Sequence, residues 1–383
     1  MNCLRLLPVV LRVALHLFLC IPGLITGVSA VAKSAIIVTV DVESAPDLPL
    51  PDQLDAVCTD GSRCGLMEIV RLLNVSHSPG TFFLNVYEYK KYGTAPLRNI
   101  AMRLRDEQQD VALHTHPHWA YDANRPYMYD YSLEQQTSIV QDGVRLLREW
   151  TGLPVVAHRA GAYSADRNTL EALARNGIQI DSSLFFGEPA SRLNGLGLPN
   201  NLPSVIDGIT EIPVSVYQRE ERPTGLGMWV PPLISVRKID VNSLINEQEA
   251  RSALAAAVRA EVPYVIVFLH SFSLIYQPGA NGAAPRADDK ARRVFETLLR
   301  ERAAAGLPTT TMSALVTAPD VVTPGRRDSF PQVSVTVPVW RYLWHARHAR
   351  FGILFLAAAA AIFAALLAFG VARMRVGNRR LIQ

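Results

Sequence analysis

Acidic residues are missing from both ends of this 383-residue chain. Residues 1–33 carry Arg5, Arg12 and Lys33 with no Asp or Glu, and residues 341–383 carry seven Arg with no Asp or Glu. Setting those cations aside leaves 28 basic against 34 acidic residues, so the body is acidic although the whole chain has a net charge of +4. An acidic body excludes nucleic acid as the main partner, because affinity for phosphate backbones comes from clustered cations. Cysteine is scarce as well: Cys3 and Cys20 lie in the first segment, which leaves only Cys58 and Cys64. Two thiols exclude both a disulfide-stapled module and a structural zinc site built on thiolates. No internal repeat is found, and 49% apolar residues exclude a disordered tail.

What the ends do contain is apolar sequence. Phe351 to Val371 is a run of 21 uncharged residues, enough at about 1.5 Å per residue to span a hydrocarbon layer of roughly 30 Å. Trp340, Tyr342 and Trp344 precede it, where an interfacial aromatic belt would lie. Arg373, Arg375, Arg379 and Arg380 follow it and suggest a cytoplasmic C-terminus, against Arg341, Arg347 and Arg350 on the other side. At the start, Arg5 and Arg12 precede an apolar stretch from Val13 to Val31, and Val28-Ser29-Ala30 resembles a cleavage site. Residues 1–33 therefore read as a signal peptide or signal anchor, and either sends the body across the membrane. The expected location is the cell membrane, with the body on the periplasmic or extracellular side and membrane lipid as a partner through the C-terminal helix. In that compartment Cys58 and Cys64 can close a short disulfide loop.

Between the ends, short β-branched runs alternate with helical stretches. Ala35–Val42, Thr81–Leu84, Val111–His114, Val155–His158, Ile178–Asp181, Glu211–Val216, Tyr264–Leu269 and Thr309–Thr311 read as strands. Leu66–Leu73, Leu97–Asp106, 133–150, Asn168–Arg175, Glu249–Ala260 and Asp289–Ala305 read as helices. The alternation predicts an α/β fold with a mostly parallel sheet covered by helices, and the strand number suits a barrel. The expected organisation is a catalytic domain over 34–318, a linker and juxtamembrane segment over 319–350 marked by Pro319, Pro324, Pro331 and Pro338, the span 351–371, and a basic tail 372–383.

In a parallel barrel the chemistry gathers at the C-terminal ends of the strands. The first strand ends Thr39-Val40-Asp41-Val42-Glu43, and strand alternation puts Asp41 and Glu43 on one face. Two carboxylates there repel each other unless a cation or a proton intervenes. The next informative end is His114-Thr115-His116-Pro117-His118, three of the chain's nine histidines within five positions. Imidazoles at i and i+4 reach one ion if the backbone turns, and Pro117 suits such a turn. Arg159, Asp181 and His270 close three further apolar strands. Two imidazoles and a carboxylate can hold a divalent ion that acidifies water and polarises a carbonyl. A second carboxylate then takes the proton and a separate His protonates the leaving group. Arg159 would keep the base ionised, and Asp181 would fix the tautomer of His270 and raise its pKa. His158 faces away from Arg159 and reads as packing.

This ordered set resembles the NodB-homology polysaccharide deacetylases, carbohydrate esterase family 4, over about residues 35–318. The resemblance rests on Thr39-Val40-Asp41-Val42-Glu43, Thr81-Phe82-Phe83-Leu84, His114-Thr115-His116-Pro117-His118, Arg159-Ala160-Gly161-Ala162-Tyr163, Asp181-Ser182-Ser183-Leu184 and Phe268-Leu269-His270. It implies a distorted (β/α) barrel and metal-assisted removal of acetyl groups from glycans. It further implies His114 and His118 as ligands of a divalent metal, Zn²⁺ first among the candidates, with Asp41 as base and His270 as acid. Arg159 and Asp181 would tune that pair, and a backbone N–H near Ala162 or Tyr163 would help hold the oxyanion. The family's commonest first motif has adjacent aspartates, whereas Val42 stands here and the second carboxylate is Glu43. The shared strand face makes Glu43 the third ligand, with exchange of roles between Asp41 and Glu43 left open; His116 is left unassigned. The expected substrate is an N-acetylated polysaccharide, peptidoglycan or an exported glycan. A non-glycan amide or cyclic imide, or a non-catalytic glycan-binding role, is the alternative.

Overall fold

The computed structural model describes residues 34–226, 230–276, 285–317 and 330–348. The chain divides into two units, Met1–Lys33 and Ser34–Gln383, and the described residues all belong to the second. The expected signal segment and the span 351–371 lie outside the described residues; among those, no helix is long and apolar enough to cross a membrane.

Eight strands form the main sheet: β1 (Ala35–Val42), β2 (Gly80–Asn85), β3 (Asp110–Thr115), β4 (Ala157–Ala160), β5 (Ile180–Asp181), β6 (Ser204–Ile206), β7 (Ile209–Glu211) and, after β8 (Val216–Pro223) and β9 (Leu233–Lys238), β10 (Tyr264–His270). Their order is β10-β1-β2-β3-β4-β5-β7-β6, parallel throughout except for the β6–β7 hairpin. Parallel neighbours require crossovers, and long helices supply most of them. Their ends are written in the sequence. Ser132 caps the helix Leu133–Thr151 in a reciprocal box with Gln135, and Gly152 ends it at φ +72°. Asp166 and Thr169 form the same kind of box on Arg167–Arg175.

Strand parity sorts the side chains into two layers. Val38, Val40, Val42, Phe82, Leu84, Leu113, Val265, Val267 and Leu269 pack outward against the helices. Ile37, Phe83, Ala112, Ala157, Ile180, Ile212 and Ile266 meet in one interior cluster, closed at the bottom by Met312 and Leu315. Side chains from strands at both ends of the sheet can touch one another only if the sheet curls round on itself. Among the described residues the ladder nevertheless stays open between its two end strands, β6 and β10, which qualifies the expected barrel. Ser215 bridges that opening: its Oγ accepts from Ile266 N at 2.8 Å and donates to Tyr264 O at 3.2 Å. Ile239 adds a link, donating to Ser215 O and accepting from Phe268 N. The result is a curled α/β half-barrel.

Two expectations need correction here. Thr309–Thr311 makes only an isolated bridge to Ile36, not a full strand. The segment expected as a linker carries β13 (Gln332–Val337), which pairs in parallel with β8, itself antiparallel to β9; a two-stranded hairpin, β11 (Ile275–Tyr276) and β12 (Arg286–Ala287), lies between β10 and β13 in sequence. A helix, Val339–His348, follows β13. The reason is alternation: Val333, Val335 and Val337 interleave with Gln332, Ser334 and Thr336, a half-buried strand pattern that the flanking prolines obscured. Cys58 and Cys64 form the expected disulfide, with their Cα atoms 6.0 Å apart.

Candidate active site

Register brings together residues that are far apart in sequence. Asp41 pairs with His270 across β1–β10, and His114 pairs with Arg159 across β3–β4. All four share the interior parity of Ile37, Ala112, Ala157 and Ile266, so their side chains converge at the C-terminal end of the curl. Asp41, His114 and Arg159 are buried.

Arg159 organises the floor. One guanidinium nitrogen donates to Asp41 Oδ1 at 2.8 Å and to Thr39 Oγ1 at 3.1 Å. The other two reach Ser182 O and Ser182 Oγ, both at 3.0 Å. Its plane lies over the Phe83 ring, 4.3 Å from the centroid. Burial alone would raise the pKa of Asp41; Arg159, His114 and His270 reverse this and lower it below its ordinary value. Asp41 is therefore held as a carboxylate.

Glu43 sits above it, its backbone clamped by Ser271, whose Oγ donates to Glu43 O at 3.1 Å. Its carboxylate lies 2.6 Å from His116 Nε2, 3.3 Å from His114 Nε2 and 3.6 Å from His270 Nε2. Burial raises its pKa, and His116 and His114 more than reverse that, so Glu43 stays ionised well below the usual range. His114 donates Nδ1–H to Arg159 O at 2.8 Å, which fixes the tautomer and turns Nε2 toward Glu43. Burial lowers the pKa of His114, but Asp41 and Glu43 outweigh it and the net shift is upward. His270 packs between two rings, stacked on Phe272 and edge-on to Phe268, with centroids 4.8 Å away in each case. Burial pushes its pKa down.

Two expectations change. The expected ligand His118 is not among the donors that converge; Glu43, His114 and His116 have ligand atoms within 4.8 Å of one another. The chain stays extended past Thr115, with His116 at φ −113° and ψ 83°, and turns only at Pro117–Trp119. In an extended chain the i and i+2 side chains share a face, so His116 joins His114. Gly161 makes room for it, since a Cβ there would lie 2.4 Å from His116 Cε1. His118 stands beside His116, ring centroids 5.5 Å apart, with a buried Nδ1 that has no hydrogen-bond partner. Burial and the neighbouring His116 lower its pKa.

Asp181 does not orient His270. Ile180 belongs to the interior cluster, so Asp181 takes the opposite parity and faces the helix layer together with His158. Its Oδ1 accepts from His158 Nδ1 at 2.7 Å and from Ser183 Oγ at 2.8 Å, and His158 Nε2 meets Thr115 Oγ1 at 3.0 Å. Ser183 Oγ in turn accepts from Ala160 N at 2.9 Å. Glu211 lies beside Asp181 in register, and burial followed by the Asp181 charge raises its pKa well above normal, which favours its protonated form. This buried set braces β3, β4, β5 and β7 from behind.

Sequence reasoning missed one more group. Lys238, at the end of β9, donates to Tyr163 Oη at 3.0 Å and lies 3.4 Å from Asp240 Oδ2. Tyr163 and Ala162 both have left-handed backbones, φ +58° and +50°, a conformation that costs a non-glycine residue roughly 1–2 kcal/mol.

The donor set suits a divalent ion. It offers one carboxylate and two imidazoles, one of them oriented by a backbone carbonyl, and the orphaned His118 Nδ1 lies alongside. The Glu43/His114/His116 donor group and the ionised Asp41 stand at one rim, with His270 facing both.

The sequence profile described as polysaccharide deacetylase matches residues 58–180. Among curated proteins none matches the chain. Among solved structures, a protein provisionally assigned as a polysaccharide deacetylase from Mycobacterium smegmatis is 17% identical, with a TM-score of 0.48, covering 79% of this chain and 96% of its own. A carbohydrate esterase family 4 pseudoenzyme from Bacillus anthracis is 12% identical at a TM-score of 0.40, covering 79% and 70%. A family 4 carbohydrate esterase from Streptomyces lividans, in complex with acetate, is 10% identical at a TM-score of 0.39, covering 78% and 99%. The match over residues 58–180 takes in the motifs around His114 and Arg159, and it is to the family that the ordered motifs resemble, the polysaccharide deacetylases of the NodB-homology type, carbohydrate esterase family 4.

Proposed function

We propose that this protein is a metal-dependent hydrolase that removes acetyl groups from an N-acetylated polysaccharide outside the cytoplasm. The observation that carries the reading is the convergence of Asp41, Glu43, His114, His116 and His270 at one end of the curled sheet, with Arg159 locked onto Asp41. Glu43, His114 and His116 would hold the ion, taken to be Zn²⁺ from the mixed carboxylate–imidazole donor set. When bound, such an ion supplies Lewis acidity, lowering the pKa of water and polarising a carbonyl oxygen.

The remaining work falls to this chain's own groups. Asp41, ionised and held by Arg159 at 2.8 Å, is placed to accept the proton of an attacking water. His270, on the neighbouring strand, is placed to hand a proton to the departing amine from its cationic form, which Glu43 at 3.6 Å and Asp41 favour against the downward push of burial. Its ring is fixed between Phe268 and Phe272, so the proton is delivered along one direction.

Export and anchoring favour a wall or surface polymer over a metabolite. The apolar segments at both ends and the arginines that flank them support a membrane location. So does the helix Val339–His348, which buries Tyr342 and Ala346 and leaves Trp340, Leu343 and Trp344 exposed. The Cys58–Cys64 disulfide agrees with an oxidising compartment.

The test is acetate release from an N-acetylglucosamine oligomer by the purified full chain with Zn²⁺. Release that is abolished by Asp41→Asn and by His114→Ala, with folding intact by circular dichroism, is the expected result. Full activity in both variants would show that the chemistry lies elsewhere.

A further inference from the structure

We propose that Lys238 is a positioning residue for deacetylation, holding the Ala162–Tyr163 turn in its left-handed conformation through the Tyr163 hydroxyl. The inference rests on the deacetylase reading above for its link to the reaction. Its structural half stands separately.

The turn follows Gly161 directly after β4, and Asp41 is among the charges that act on Tyr163. Two consecutive non-glycine residues at φ +50° and +58° do not hold this shape unaided. On the backbone side Ser164 steadies it, donating from both N and Oγ to Gly161 O. On the side-chain side Tyr163 packs edge-on to Phe185, 5.0 Å between centroids, and against Phe268 at 6.3 Å. Its hydroxyl accepts from Lys238 Nζ at 3.0 Å.

A lysine is an expensive choice for this place. Its side chain is only 15% exposed, and packing alone would be served by methionine, without the cost of desolvating a charge. The ammonium is instead surrounded by groups that favour it: Tyr163 Oη, Asp240 Oδ2 at 3.4 Å, and the Phe268 ring with its centroid 3.3 Å away. Burial lowers the Lys238 pKa, and Tyr163, Asp240 and Asp41 more than restore it, so the group stays charged. Burial pushes the Tyr163 hydroxyl up to about 12. Lys238 is thus the donor and Tyr163 keeps its own proton, a charge-assisted bond of the stronger kind. Phe268 carries the effect onward, with Lys238 over its ring and His270 edge-on to it at 4.8 Å. A cation buried only for an ion pair with Asp240 would have no reason to be built against both the strained turn and the ring that supports His270.

The experiment compares the full chain with Lys238→Met, Lys238→Arg, Tyr163→Phe and the Met/Phe double variant. Amide hydrogen exchange of the peptide covering residues 159–165 is measured by mass spectrometry, beside kcat and KM on the acetylated oligomer. Lys238→Met should speed exchange in that peptide about tenfold while distant peptides are unchanged. It should lower kcat on the order of 100-fold, with KM within about twofold, because a displaced turn misplaces the reacting groups. Lys238→Arg should restore most of both, and the double variant should be no worse than the worse single one. Unchanged exchange in Lys238→Met, or losses that multiply in the double variant, would overturn the clamp. Should Lys238→Met not fold, Tyr163→Phe must by itself speed exchange in the same peptide, or the proposal is wrong. A wild-type chain that releases no acetate would remove the deacetylase reading and with it the role in deacetylation, while the exchange data still decide whether the clamp exists.

Discussion

Replacing Arg159 with methionine gives the sharpest test of how the floor of the site is built. The side chain is fully buried and carries four hydrogen bonds, to Asp41 Oδ1, Thr39 Oγ1, Ser182 O and Ser182 Oγ, at 2.8 to 3.1 Å. Methionine keeps much of the packing over Phe83 but strands the Asp41 carboxylate in a buried setting. Removing one partner of a buried pair costs about 3–5 kcal/mol, on the order of a thousandfold in the folding equilibrium. The pH dependence follows from the direction of the shift. In the wild type the folded pKa of Asp41 is depressed, with burial opposing and Arg159 leading the groups that lower it. The stability this contributes is complete above the unfolded value of about 3.9 and is lost as pH falls through the lower, folded pKa. Without Arg159 burial prevails and the folded pKa moves above the unfolded one, so the variant loses stability as pH rises from about 4. The gap between the two proteins should therefore widen from pH 4 to pH 7. Urea unfolding of the metal-free chain at several pH values, followed by tryptophan fluorescence, measures it. Arg159→Lys should fall between them, since an ammonium keeps the charge but loses the fork that spans Asp41 and Ser182. A penalty below about 1 kcal/mol at pH 7, or one that does not change with pH, would show that Arg159 does not hold Asp41 ionised.

Four further outcomes are expected. His116→Ala should weaken Zn²⁺ binding, measured by competition with a chromophoric chelator, by on the order of 100-fold, and by more than His118→Ala does; the reverse order would restore His118 as the ligand. Gly161→Ala should weaken it as well, because the new Cβ meets the His116 ring at 2.4 Å. Glu211→Gln should cost less than about 1 kcal/mol at pH 7, since the amide imitates a protonated carboxyl beside Asp181. Because the folded pKa of Glu211 is raised by burial and by Asp181, its contribution to stability is lost as pH rises above the unfolded value, so the variant should gain on the wild type between pH 5 and pH 8; a melting temperature that falls sharply at pH 7 would contradict this. Replacing Cys58 and Cys64 together by serine should lower stability by about 2 kcal/mol in urea, the entropy of so short a loop; no change would mean that the bond is not formed.

The strands were legible where their periodicity was uninterrupted. Ala35–Val42 and Tyr264–His270 are dense in β-branched residues, and their ends alone placed Asp41, Glu43 and His270 on one rim. Strand parity carries more information than the strand ends alone. The alternation that puts Asp41 and Glu43 on one face also puts Asp181 beside His158 and away from His270, because Ile180 must point inward to fill the curl. It likewise puts His114 and His116 on one face, provided the chain stays extended through His116. Pro117 suggested an earlier turn, and local sequence alone does not fix where a strand stops pairing. The conformation that decides it is set from a distance, by β4 pairing with Leu113, His114 and Thr115 and by the open space at Gly161. Lys238 had no local signal at all. Its meaning depends on a turn 75 residues earlier in the chain, and only the curl of the sheet, which brings the end of β9 against Tyr163 and Phe268, turns a polar residue at a strand end into part of the site. The groups that bear chemistry could be read from strand ends, whereas the groups that hold them in place follow from closure of the sheet, which no single stretch of sequence encodes.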